Sequence, residues 1–192
     1  DDFDDGRDQL YNMVPFVYGN QYLGFVWRYH TAMDQGVTEL AAARDIQRWQ
    51  RVGQRQHFLP VGTPGAWDDG WATCSLNPPI LKDNTLHMWY SGMRRHGSNR
   101  PFLGGIGALT LRKDGFVALR CGNQGGDVMT EPVRVEKSRL FLNASAFPNN
   151  GSAGRLRVRV VCDIEIPEGF SLEECNGLVR DDQTDFEITW GE

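Results

Sequence analysis

The sequence predicts an all-β chain: two four-stranded units of the β-propeller blade type, followed by a small antiparallel β-sandwich. Three observations carry this. A pair of hairpins recurs along the first half of the chain. The second strand of each copy is apolar on both of its faces. Past Gly126 the texture changes to short alternating strands, separated by Gly, Asn, Pro and Asp clusters, with no return of the repeat.

Pro15-Phe-Val-Tyr-Gly19-Asn20-Gln-Tyr-Leu-Gly-Phe25 aligns with Pro79-Ile-Leu-Lys-Asp83-Asn84-Thr-Leu-His-Met-Trp89 at a constant offset of 64. Each copy places a Gly-Asn or Asp-Asn pair between two apolar runs, the pattern of a tight hairpin between strands A and B. Strand B carries Leu23, Phe25 and Trp27 against Tyr22, Gly24 and Val26 in one copy, and Leu86, Met88 and Tyr90 against Trp89 in the other. Coverage on both sides is expected of blades stacked face to face.

A second hairpin follows. Leu40 to Val52 and Ile106 to Leu119 each read as strand, charged turn, strand, giving strands C and D. The turn aspartates, Asp45 and Asp114, lie 69 apart, so the second copy carries about five extra residues in its B–C loop, where insertions belong. Leu40 to Arg44 is alanine-rich, and a short helix is the rival reading there. The expected boundaries are 1–125 for the partial propeller, with blades over about 9–53 and 71–122, and 126–192 for the sandwich. Within the latter, strands are expected at Thr130 to Val135, Arg139 to Ala144, Leu156 to Val161 and Glu187 to Trp190.

With 20 basic and 25 acidic residues the net charge is −5. No basic stripe is present to neutralise phosphates, so no nucleic-acid partner is expected. No apolar run approaches the roughly 20 residues that cross a bilayer, and Asp1-Asp2-Phe3-Asp4-Asp5 lacks a basic-then-apolar leader, so no membrane partner is expected either. Cys74, Cys121, Cys162 and Cys175 show neither C-x-x-C spacing nor a histidine at zinc-finger spacing. We expect no metal and no cofactor. The cysteines read as buried free thiols, with a Cys162–Cys175 pair across a hairpin as the alternative.

Several stretches resemble the five-bladed glycoside hydrolases with a C-terminal β-sandwich, the β-fructosidase-like group typified by glycoside hydrolase family 32. They are Tyr11-Asn-Met13, Arg44-Asp45 with Trp49-Gln-Arg-Val-Gly53, and Trp67-Asp-Asp-Gly70 with Pro78-Pro79. In the last domain they are Leu140-Phe-Leu-Asn143-Ala144, Arg155-Leu-Arg-Val158 and Gly169-Phe-Ser-Leu-Glu-Glu-Cys175. The resemblance implies a carbohydrate substrate, an O-glycosyl hydrolase-like activity and five blades. Only two are present, so the missing ones are expected before Asp1 or from another subunit, because two blades cannot close a ring. A secreted or periplasmic location would suit such a protein.

In such propellers strand A is innermost, and the resemblance implies that the substrate funnel opens where the A strands begin. Alternating strand direction then places the B–C and D–A loops on the funnel face, and the A–B and C–D hairpins on the far one. That gives Arg28, His30, Trp67, Asp68, Trp71, Arg95 and His96 as candidate substrate contacts, with Asp69 as the one candidate catalytic carboxylate. Asp-Asp-Gly is equally a common turn. Arg44-Asp45 and Lys113-Asp114 fall on the far face as solvated turns. The family's three acids lie in Asn-Asp-Pro, Arg-Asp-Pro and Glu-Cys-Pro motifs, and this sequence contains none of them. If Tyr11-Asn12-Met13 takes the place of the last, Asn12 is a substrate contact standing where the acid should be.

Overall fold

The computed structural model describes residues 4–95, 103–122, 124–147 and 154–191. The chain is all-β. Among the described residues the sole helical turn is a short 3-10 turn at Gly53–Arg55. Two compact units form, Asp1–Ala118 and Leu119–Glu192.

The first unit holds β1 (Asp8–Tyr18), β2 (Gln21–His30), β3 (Gln35–Ala43), β4 (Gln50–Arg51), β5 (His57–Leu59), β6 (Trp71–Cys74), β7 (Ile80–Lys82), β8 (Thr85–Met93) and β9 (Gly104–Arg112). They build one open sheet in the order β1-β2-β3-β6-β8-β7, with β4 and β5 added on β3 and β9 on β8. Such an open sheet is consistent with an incomplete propeller. Every pairing is antiparallel except a parallel bridge between Gly36 and Trp71, where the two copies of the repeat join.

Both A–B turns sit where the repeat places them. Gly19 has φ 59°, and Asp83 and Asn84 have φ 48° and 59°, the left-handed geometry that tight hairpins use. Strand A starts earlier than its aligned sequence suggests. In the first copy it begins at Asp8, and a one-residue bulge at Tyr11 shifts its register on β2. In the second copy Ser75 to Pro79 splits it into β6 and β7, which both pair with β8. Pro78 and Pro79 cannot donate to a ladder, so the strand breaks there. Leu40 to Ala43 is strand: pairing with β2 and β4 overrides the helical propensity of its alanines. Strand D is weak, two residues long at β4, and Phe116 to Leu119 forms no strand at all.

Val14, Phe16, Leu23, Phe25, Leu40, Cys74, Leu86 and Met88 form the buried core of this unit. The hydroxyl of Tyr18, at the A–B end of the first copy, donates to Asp114 Oδ1 (2.7 Å) on the C–D turn of the second. The A–B and C–D hairpins therefore share one end of the sheet. Asp45, on the other C–D turn, accepts the Gln47 and Arg48 amides and closes its own loop.

The second unit comprises β10 (Leu140–Ser145), β11 (Arg155–Leu156), β12 (Cys175–Asn176), β13 (Leu178–Val179) and β14 (Asp182–Trp190). They form a three-stranded sheet, β10-β14-β12, and a two-stranded sheet, β11-β13. Cys175, Leu178 and Ile188 are buried, and the Trp190 indole donates to the Val158 carbonyl (3.0 Å). Thr130 to Val135 pairs with nothing among the described residues, and Leu156 to Val161 is strand at its first residue alone. All four cysteines are free. Cys74 and Cys175 are buried, whereas Cys121 and Cys162 are exposed, against the expectation of four buried thiols.

Candidate functional site

The β2–β3 loop, the residues before β6 and the end of β8 surround a cleft of about 280 Å³ whose lining includes Asp34, Asp69, Arg94 and Arg95. B–C and D–A connections thus meet at one end of the sheet, opposite the Tyr18–Asp114 end.

An aromatic cluster built on the Tyr11 bulge adjoins the cleft through the bond between Tyr29 and Asp34. Inserting a residue re-aims the side chain, and the Tyr11 ring packs 5.3 Å from Tyr29 and 5.6 Å from Trp71, which are themselves 5.8 Å apart. Tyr11 remains 44% exposed while Trp71 is buried. Gly36 makes room for Trp71, because a Cβ there would run into the indole. The Tyr29 hydroxyl donates to Asp34 Oδ1 (2.8 Å), and that bond, followed by burial, raises the Tyr29 pKa to about 12. Asp34 itself adopts φ 51°, a left-handed conformation that an aspartate tolerates at modest cost. His30 helps to hold this loop, since its Nδ1 accepts the Met33 amide (3.2 Å).

Another part of the cleft wall is the segment before β6. Asp69 Oδ2 accepts the Gly65 amide (2.7 Å), and Arg94 donates to the Gly65 carbonyl (2.6 Å). Trp67 stacks on Tyr90 with centroids 5.6 Å apart, and the Tyr90 hydroxyl donates to Asp68 (2.7 Å). Arg95 is exposed and makes no hydrogen bond or ion pair among the described residues.

Arg28 is held in a buried ionic row across the strands. It donates to Asp8 (2.7 Å), lies 2.6 Å from Glu39 through an Nε–H not aligned as a hydrogen bond, and reaches His57 Nε2 at 2.8 Å. Glu39, 2% exposed, also receives Arg51 (2.9 Å), which continues to Asp4.

Of the sequence candidates, Asp69 and Arg95 line one cleft, and Trp71 is buried against Tyr11 and Tyr29. Trp67 and Asp68 are engaged with Tyr90, Arg28 lies in the ionic row, and His30 braces its loop. Asn12 accepts the Met13 amide with its own side chain (2.9 Å). His96 lies outside the described residues. Sequence reading did not single out Tyr11, Tyr29 or Asp34. Sorting loops by face already places Asp34 beside Arg95, but a bulge leaves no signal in an unaligned strand.

No family model and no curated protein matches this chain. Two solved structures, one of a BT0996 RGII complex and one of a glycoside hydrolase, are each similar at 17% identity with a TM-score of 0.43. Each match covers 55% of this chain and 34% of the other, so the chain spans about a third of the length of the structures it matches.

Proposed function

We propose that the cleft beside Tyr11, Tyr29 and Trp71 binds carbohydrate, and that the chain is part of a glycoside-hydrolase-like protein of the β-fructosidase-like kind. One observation carries the reading: Tyr29 belongs to both halves of the site. Its ring completes the aromatic cluster, and its hydroxyl is bonded to the cleft carboxylate Asp34. Sugars offer apolar C–H faces to aromatic rings and hydroxyls to carboxylates and guanidinium groups, and sites that bind them combine the two kinds of group. Asp34, Asp69 and Arg95 line the cleft, and the aromatic cluster adjoins it through Tyr29.

We assign this chain binding, and not bond cleavage. Glycoside hydrolysis needs two carboxyl groups in defined roles, about 5–9.5 Å apart. The three acid motifs of the resembled family have no counterpart in the sequence.

The test is calorimetric titration of the chain with a panel of neutral and acidic oligosaccharides, repeated for Tyr11→Ala, Asp69→Asn and Arg95→Ala. At least one glycan should bind, and Tyr11→Ala and Arg95→Ala should each weaken it about tenfold, the equivalent of about 1.4 kcal/mol. Absence of binding across the panel, or unchanged affinity in all three variants, would refute the assignment. Hydrolysis on long incubation, lost in Asp69→Asn, would replace it with a catalytic one.

A further inference from the structure

Resting on the carbohydrate reading of the cleft, we propose that its ligand is an acidic sugar, a uronate whose carboxylate is received by Arg95. Two carboxylates, Asp34 and Asp69, and two guanidinium groups, Arg94 and Arg95, line this space of about 280 Å³. Among the described residues no ion pair joins any two of these four charges. Neutral partners hold three of them. Asp34 accepts the Tyr29 hydroxyl (2.8 Å), and Asp69 accepts the Gly65 amide (2.7 Å). Arg94 donates to the carbonyls of Gly65 (2.6 Å) and Ala66 (3.3 Å). Asp69 and Arg94 are therefore fixed on the two backbone polar groups of one glycine, facing the cleft without neutralising each other. Arg95 has no partner among the described residues, so all of its N–H donors are unspent.

These commitments decide what the ligand brings. A guanidinium accepts nothing, and its planar fork matches a carboxylate, which takes two parallel charge-assisted bonds where a neutral hydroxyl takes one. Asp34 and Asp69 each spend one oxygen on a neutral donor and keep the other for a hydroxyl of the ligand. One anionic group and several hydroxyls on a small frame are the chemistry of a sugar acid. The two aspartates do not forbid it. Arg94 and Arg95 balance their charge, so the lining is neutral before the ligand enters and Arg95 meets the incoming carboxylate undiminished.

Calorimetric titration with three forms of each acidic glycan tests this: the uronate, its methyl ester and the neutral parent sugar. The ester keeps the shape and loses the charge. The uronate should bind about tenfold tighter than either, the scale of a hydrogen bond to a charged group. Raised salt should narrow that margin. Arg95→Gln should bring the uronate level with its ester, whereas Arg44→Gln, in the C–D turn of the first copy, should leave the margin intact. A wild-type chain that binds the uronate no tighter than the ester, or a margin that survives Arg95→Gln, would overturn this inference and leave the cleft a sugar site. Failure of every form of every glycan to bind would refute the carbohydrate reading itself, and this inference with it.

Discussion

Nη2 of Arg28 lies 2.8 Å from Nε2 of His57, so this imidazole nitrogen accepts and the ring is neutral in the folded chain. Burial and the Arg28 charge both hold the His57 pKa below its ordinary 6.5, against the weaker pull of Glu39 and Asp8. The unfolded chain takes up this proton at the ordinary value, and the folded chain resists it. The contribution is therefore complete above pH 6.5 and declines as the pH falls below it. A second limb belongs to Asp4, whose carboxyl is held at about 2 by the Arg51 hydrogen bond; that stability is present above pH 3.8 and is lost towards pH 2. Urea midpoints measured from neutral pH downwards should fall below pH 6.5, and His57→Gln should flatten that first limb. A slope unchanged by the substitution would remove His57 from the account.

Glu39 sits between two arginines at 2% exposure. Replacing it with glutamine keeps the shape and leaves Arg28 and Arg51 short of their shared counter-charge. Breaking a buried pair in this way costs about 3 kcal/mol. Arg139 and Glu187 form a bidentate pair with both oxygens at 2.6 Å, but Arg139 is 64% exposed. Solvent and salt screen such a pair. Chemical denaturation should separate the two: a clear loss for Glu39→Gln, and no measurable change for Glu187→Gln.

How far the sequence reveals this structure depends on the range of the interaction concerned. The A–B hairpins are legible because their turns demand left-handed backbone, and Gly19, Asp83 and Asn84 announce it locally. The starts of the A strands are not, because a one-residue bulge at Tyr11 and the break at Ser75 to Pro79 put the two copies out of phase. Alternation at Val133 and Val135 reads as a strand, yet both stay exposed, since alternation alone cannot supply a partner strand. Sorting loops by face brings Asp69 and Arg95 to one cleft from connectivity alone. The same sorting offers Arg28 as a substrate contact, and only cross-strand register reveals Asp8, Glu39 and His57 around it.

Glycines opposite the site tryptophans differ in what they tolerate. A Cβ at Gly36 would collide with the Trp71 indole, which is buried and cannot retreat, so Gly36→Ala should cost about 1–3 kcal/mol as an overpacked core. A Cβ at Gly92 would lie 2.6 Å from the Trp67 ring and 2.7 Å from Asp68 Cβ. Trp67 is 41% exposed and can swing outward. Gly92→Ala should therefore cost less stability while releasing the Trp67–Tyr90 stack, read as a red shift in tryptophan emission. Equal losses from the two substitutions would contradict this geometry.

Tyr29 and Tyr90 are both held at about 12, for different leading reasons: the bond to Asp34 for Tyr29, and burial ahead of the Asp68 bond for Tyr90. Ultraviolet titration should find these two tyrosines ionising late, with Tyr18, raised by burial and then by its bond to Asp114, also above the ordinary value. Asp34→Asn should return one of them most of the way towards 10, whereas Asp68→Asn should move the other less. Equal shifts would show that burial is not the leading cause at Tyr90.

Thiol chemistry gives a test that does not depend on the cleft. Cys121 and Cys162 are exposed, and Cys74 and Cys175 are buried. Attack on a disulfide reagent requires a thiolate that solvent can reach. Burial pushes the Cys74 pKa to about 12, and the Thr38 hydroxyl beside it offsets only part of that. Cys175 Sγ accepts the Val158 amide (3.2 Å) within the second unit. Titration of the native chain with an aromatic disulfide should modify two thiols at once and all four after denaturation. Because Cys74 lies in the first unit and Cys175 in the second, the two slow thiols report the opening of different units. Urea concentrations that release them separately would mean that the units unfold independently; coincident release would mean that they unfold as one.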